Sequence, residues 1–196
     1  EARFIDEVLA PLRARLPALR IVFEHVTTAA AVQFVQSHPG VAATITPQHL
    51  LMNRNALFQG GIRPHHYCLP VLKRETDRRA LLEAVAGGDP RFFLGTDSAP
   101  HARGAKEAAC GCAGIFSAPI ALELYAEAFE EAGALHRLEA FASVFGPQFY
   151  GLPLNEGQVI LEKTDWEVPS HYPYANDTIV PLRAGEALVW DAALIH

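Results

Sequence analysis

The sequence predicts an α/β fold built on a parallel sheet. Three short β-rich runs, at 20–26, 41–46 and 91–96, alternate with stretches of helical spacing. Strands joined in that order need crossover helices and so pair parallel. The runs are apolar almost throughout, as in Ile21-Val22-Phe23 and Arg91-Phe92-Phe93-Leu94, which suits strands covered on both faces. Half of the 196 residues are apolar, enough for a sizeable core.

The opening places Phe4, Ile5, Val8, Leu9, Leu12 and Leu16 near helical spacing, so an amphipathic helix is expected. Pro11 lacks an N–H and should bend or restart it, and Pro17 ends it. After the first strand, Thr27 or Thr28 can cap a helix over 29–36, with Ala31, Phe34 and Val35 on one face. His38-Pro39-Gly40 stops that helix before the second strand. A long connection from Pro47 to Leu72 follows, then a helix over 78–86 and the third strand. Further helices are expected at 118–132 and 135–145. From Gly151 the chain is punctuated by Pro and Asn, with short β-like runs such as 158–162. The expected division is an α/β part over 1–150 and a C-terminal extension over 151–196.

A formal charge of −6 argues against a nucleic-acid partner, whose phosphates call for a basic face. No run of 18 apolar residues could span a bilayer. The start, Glu1-Ala2-Arg3-Phe4, has neither the basic region nor the apolar stretch of a signal peptide. It has no initiating Met, and preceding sequence is expected to be missing. Cys68, Cys110 and Cys112 are too few to staple a chain of this size and read as reduced thiols of a cytoplasmic protein. Cys110-Gly111-Cys112 is too tightly spaced for a zinc knuckle and lacks the C-x-x-C redox spacing.

Two residues stand out chemically. His25 closes the first strand and Asp97 follows the third. In a β/α barrel such positions converge on the catalytic face, and imidazole and carboxylate are both zinc ligands. Each has an ordinary alternative: a hydrogen-bonded core histidine, and a turn or cap carboxylate supported by Ser98-Ala99-Pro100. Pro100 disfavours helix at Ala99, so His101 is expected in a loop facing the same mouth. His49, His65 and His66 lack a defined spacing and read as solvent-facing or structural, and Arg63 as a solvated loop residue.

These strings resemble a known family. Val22-Phe23-Glu24-His25-Val26-Thr27-Thr28, Arg63-Pro64-His65-His66-Tyr67-Cys68-Leu69-Pro70 and Phe93-Leu94-Gly95-Thr96-Asp97-Ser98-Ala99-Pro100-His101 occur in the order found in bacterial-type dihydroorotases. Cys110-Gly111-Cys112-Ala113-Gly114 and Gly146-Pro147-Gln148-Phe149-Tyr150-Gly151-Leu152-Pro153 continue the match. The resemblance implies a (β/α)8 TIM barrel of the amidohydrolase superfamily, of which this chain covers roughly the last three strands. It implies reversible cyclisation of N-carbamoyl-L-aspartate to L-dihydroorotate, at two zinc ions in a cytoplasmic homodimer. His25 and Asp97 are then metal ligands, Asp97 is also the catalytic base, and Leu69, His101 and Ala113 are substrate contacts.

The same resemblance implies what is lacking. The family's His-x-His pair, its carboxylated bridging lysine and a further histidine have no match, and the chain is expected to begin after the fifth strand. The rival readings are another cyclic amidohydrolase acting on hydantoin-like rings, a metal-dependent nuclease of related barrel type, and a non-catalytic interaction domain.

Overall fold

The computed structural model describes residues 1–195. Helix α1, over 2–15, is built of turns Ala2–Phe4, Ile5–Leu9 and Ala10–Arg15. The middle turn is π-wound, with the Ala10 N–H reaching back to the Ile5 carbonyl. Pro11 accounts for it: the ring can neither donate nor tolerate the carbonyl one turn back, and a wider turn relieves both faults. A second π turn, Ala140–Val144, likewise stands just before a proline, Pro147.

Strands β1 (Ile21–Phe23), β2 (Val41–Ile45) and β3 (Phe92–Leu94) form one parallel sheet in that order. They lie within the expected runs, each stopping one to three residues short of the expected carboxyl end. Helix α2 (Ala29–Ser37) connects the first pair; Thr28 is its cap, accepting from the Ala31 N–H. The second crossover holds α3 (Pro47–Leu51), capped by Thr46, and α4 (Glu75–Ala86). Helix α4 starts three residues earlier than its apolar spacing predicts, in a turn tied by Glu75 to Arg78 and Asn53.

Alternation sorts the sheet into two faces. Phe23, Ala43 and Phe92 are in register and share one core with Val35, Leu81, Tyr125 and Phe129 of the helices. Helix α6 (Ala121–Glu131) contributes the last two, and the buried Tyr125 hydroxyl donates to the Ile45 carbonyl at 2.7 Å. The other face carries Val22, Ala42, Thr44 and Phe93. On this face Phe93 packs on Phe149 and Tyr150 of α7 (Phe145–Tyr150), with ring centroids 5.9 Å away in each case. Arg20, just before β1, lies 4.4 Å over the Phe149 ring.

Short helix α5 (Arg103–Lys106) follows β3. The C-terminal region is more ordered than its punctuation suggests. Strands β4 (Gln158–Glu167) and β7 (Ala187–Ile195) pair antiparallel with a bulge between Lys163 and Trp166, and β5 (Tyr172–Tyr174) and β6 (Asp177–Ile179) form a hairpin. Trp190 enters the helix–sheet core, while Leu188, Val168 and Leu182 join Ile120 and Leu124 in a second cluster. Among the described residues, no helix is long and apolar enough to cross a membrane.

Candidate active site at the carboxyl end of the sheet

His25 lies two residues past β1 and Asp97 three past β3, so both stand at the carboxyl end of one parallel sheet, with β2 between them. Both have left-handed backbone, φ 41° and 44°, an uncommon state for residues other than glycine. Such turns swing each side chain off the strand axis as the chain leaves the sheet. Thr44, on the intervening strand, fixes the His25 turn: its Oγ1 accepts from the His25 N–H at 2.7 Å. The following Val26 N–H donates to the Thr44 carbonyl at 3.1 Å. Gly95 allows this, because a Cβ there would lie 2.6 Å from the Thr44 Cβ.

The electrostatics join the two residues. Partial desolvation raises the Asp97 carboxyl above the ordinary aspartate range, although the residue remains open to solvent; His25 opposes the rise and Glu24 adds to it. The His25 Nδ1 is buried with no hydrogen-bond partner. Orphaned polar atoms of this kind ask for an explanation, and a metal or ligand supplies one. Imidazole and carboxylate therefore fit a metal in kind, but they are a partial donor set: among the described residues no group of three or more His, Cys, Asp or Glu could hold an ion. A catalytic zinc ordinarily takes three protein ligands.

The turn reading of Asp97 holds only for its backbone. Capping falls to its neighbours: Thr96 Oγ1 accepts from the Ser98 N–H, and Ser98 Oγ from the Ser117 and Ala118 N–H groups. These bonds, with the Ala99 N–H to the Ile115 carbonyl, zip the 96–101 loop to the 112–118 loop. His101 is in the loop, as expected, and its Nε2 donates to the Ala113 carbonyl at 3.0 Å. Two of the expected substrate contacts thus touch each other. Gly114, at φ 154°, is required beside them, since a Cβ would lie 2.5 Å from the Ala99 carbonyl oxygen and 2.9 Å from the His101 ring.

Leu69 is exposed on a segment pinned from both sides. On one side the Gly114 N–H donates to the Tyr67 carbonyl at 2.9 Å. On the other the buried His49 Nε2 donates to the Pro70 carbonyl at 2.9 Å, while Thr46 bonds its Nδ1 at 2.6 Å. Burial lowers the His49 pKa to about 4, so the ring is neutral and structural. His65 pairs with Glu107, His66 bonds the Ala56 carbonyl, and Arg63 is exposed. Cys68, Cys110 and Cys112 are free thiols.

One residue of the site escaped the sequence reading. Lys106 is 3% exposed, and its Nζ donates to the carbonyls of Tyr67, Cys112 and Gly114 at 2.9, 2.7 and 2.7 Å. Nothing in a short polar stretch ending in lysine marks that residue as buried; only the loops that close over it do.

No protein-family model matches the chain. It is 69% identical over 194 residues to a dihydroorotase of Laribacter hongkongensis and 67% identical over 192 residues to one of Aromatoleum aromaticum. These alignments take in 98% and 97% of the chain but 56% of each relative, so the chain spans little more than half the length of the curated relatives it matches. Among solved structures, a dihydroorotase of Campylobacter jejuni superposes on the whole chain with a TM-score of 0.89 at 33% identity, over 57% of its own length. A Saccharomyces cerevisiae dihydroorotase, crystallised with 5-fluoroorotic acid, gives 0.88 at 31%, over 99% of the chain and 58% of its own. A D-hydantoinase of a Thermus species gives 0.75 at 16% over 99% of the chain and 46% of its own, a likeness of fold alone. The chain is thus similar to the C-terminal portion of barrel amidohydrolases.

Proposed function

We propose that this chain is the C-terminal part of a dihydroorotase of the amidohydrolase superfamily, and that the completed protein interconverts N-carbamoyl-L-aspartate and L-dihydroorotate using zinc. The observation that carries the reading is the identity to proteins named dihydroorotase, 61–69% among curated relatives and 31–33% among solved structures, against 12–17% to solved hydantoinases and dihydropyrimidinases of the same fold.

In this reading His25 and Asp97 are this chain's share of the metal ligands, and zinc, when bound, supplies Lewis-acid polarisation. Asp97 takes a proton from the attacking water and returns it to the departing ring nitrogen, and in cyclisation runs the transfer backwards. His101 and the backbones of Leu69 and Ala113 are the polar contacts offered to the substrate. The chain from 151 onward is an extension packed on the barrel part; among its described residues, Trp190 and Leu188 entering the cores support this. The homodimer and the cytoplasmic location rest on the family resemblance.

The test is to join the chain to the part of the Laribacter hongkongensis relative that it does not span, load the chimera with zinc, and assay both directions of the ring reaction. Turnover of N-carbamoyl-L-aspartate is expected. Turnover of hydantoin-like rings only would favour the second amidohydrolase reading, and stable folding with neither activity would favour an interaction domain.

A further inference from the structure

We propose that Lys106 is a positioning residue for the substrate: its ammonium ties the two loops carrying Leu69 and Ala113 into one rim and sets a positive charge beneath it. This deepens the reading above and rests on it.

The geometry is specific. The carbonyls of Cys112 and Gly114 bracket Ala113, and that of Tyr67 lies two residues before Leu69, so one buried atom holds both segments. Three carbonyl acceptors need three N–H donors, which only the ammonium form provides. All three donors go to neutral groups, so the charge is spread over carbonyl dipoles and not cancelled by a carboxylate. Burial lowers the lysine pKa from its ordinary value, with the neighbouring Cys68 and Cys112 opposing. A buried cation is costly, and here no carboxylate offsets that cost. What the charge adds is a positive field at a mouth that takes anions. N-Carbamoyl-L-aspartate carries two carboxylates and L-dihydroorotate one, so the field favours the open-chain form more.

The experiment uses the zinc-loaded chimera carrying Lys106→Met, an unbranched side chain of similar volume that lacks the terminal amine. The expected result is a KM for N-carbamoyl-L-aspartate raised roughly 10–100-fold, a smaller rise for L-dihydroorotate, and kcat within about threefold in both directions. Zinc content should not change. KM values within twofold of the parent overturn the proposal, and so does an equal rise for both substrates, which marks a mechanical tie without a charge effect. If Lys106→Met does not fold, Lys106→Gln, which keeps two donors without the charge, is judged by the same criteria. A parent chimera without turnover overturns the functional reading and this inference together; an active parent with an unchanged variant overturns the inference alone.

Discussion

His25 and Asp97 leave the sheet in the same way: one past β1, the other past β3, each with left-handed backbone within a few degrees of the other, φ 41° and 44°. Non-glycine residues hold such conformations at a cost of order 1 kcal/mol or more, and they do so where the surrounding structure over-determines them. Here it does: Thr44 fixes the first turn through the His25 N–H, and the Thr96–Ser98 and Ser98–Ala118 bonds fix the second.

Asp97→Asn separates backbone from chemistry. Asn tolerates left-handed geometry as Asp does, so the chimera should fold with an unchanged melting temperature. Loss of a positioned acid/base costs about 10²–10⁴ in rate. Steady-state kinetics in both directions, beside circular dichroism, check it; retention of more than a tenth of the activity would remove Asp97 from the proton-transfer role.

Gly95→Ala should destabilise the chimera by about 1–3 kcal/mol, because the new methyl meets Thr44 with no space to spare. Adding Thr44→Gly, which removes the Cβ that the new methyl meets, should recover part of that stability. It should not recover activity, since the acceptor for the His25 N–H is gone. Thermal melts and kinetics on both single variants and the double form a cycle; full additivity of the two stability losses would refute the contact.

His49 should give the protein an acid-labile step. Its folded pKa is depressed to about 4 by burial against an ordinary value of 6.5. Between those values the unfolded chain binds the extra proton, so the contribution is complete above pH 6.5 and falls away as pH drops toward 4. Its size is about 3 kcal/mol. His49→Gln should flatten this part of the stability curve, read as melting temperature against pH. An unchanged slope would show that His49 is not the group responsible.

The chain alone should bind zinc weakly and turn over neither substrate, since His25 and Asp97 are a partial ligand set. Competition with a chelating dye measures the affinity. Tight stoichiometric zinc accompanied by turnover would show that the donors outside this chain are dispensable.

Much of this architecture could be read in advance. Apolar runs with a polar residue at their ends give the strands, their parallel order and the placement of His25 and Asp97, because strand direction and crossover length are local properties of the sequence. What escaped depends on distant partners. Strand β7 pairs with β4 across an intervening hairpin, and neither its register nor the Lys163–Trp166 bulge leaves a local signature. The start of α4 is fixed by Asn53, more than twenty residues upstream. Lys106 and His49 look like solvent-facing polar residues until the 67–70 and 112–114 segments close over them.

The contact of Arg20 with Phe149 has a structural consequence of its own. Arg20 directly precedes β1, and Phe149 lies in α7, almost 130 residues later, where it also packs against Phe93. The entry to the first strand is therefore braced by the last helix, so that loosening either would be felt by the other.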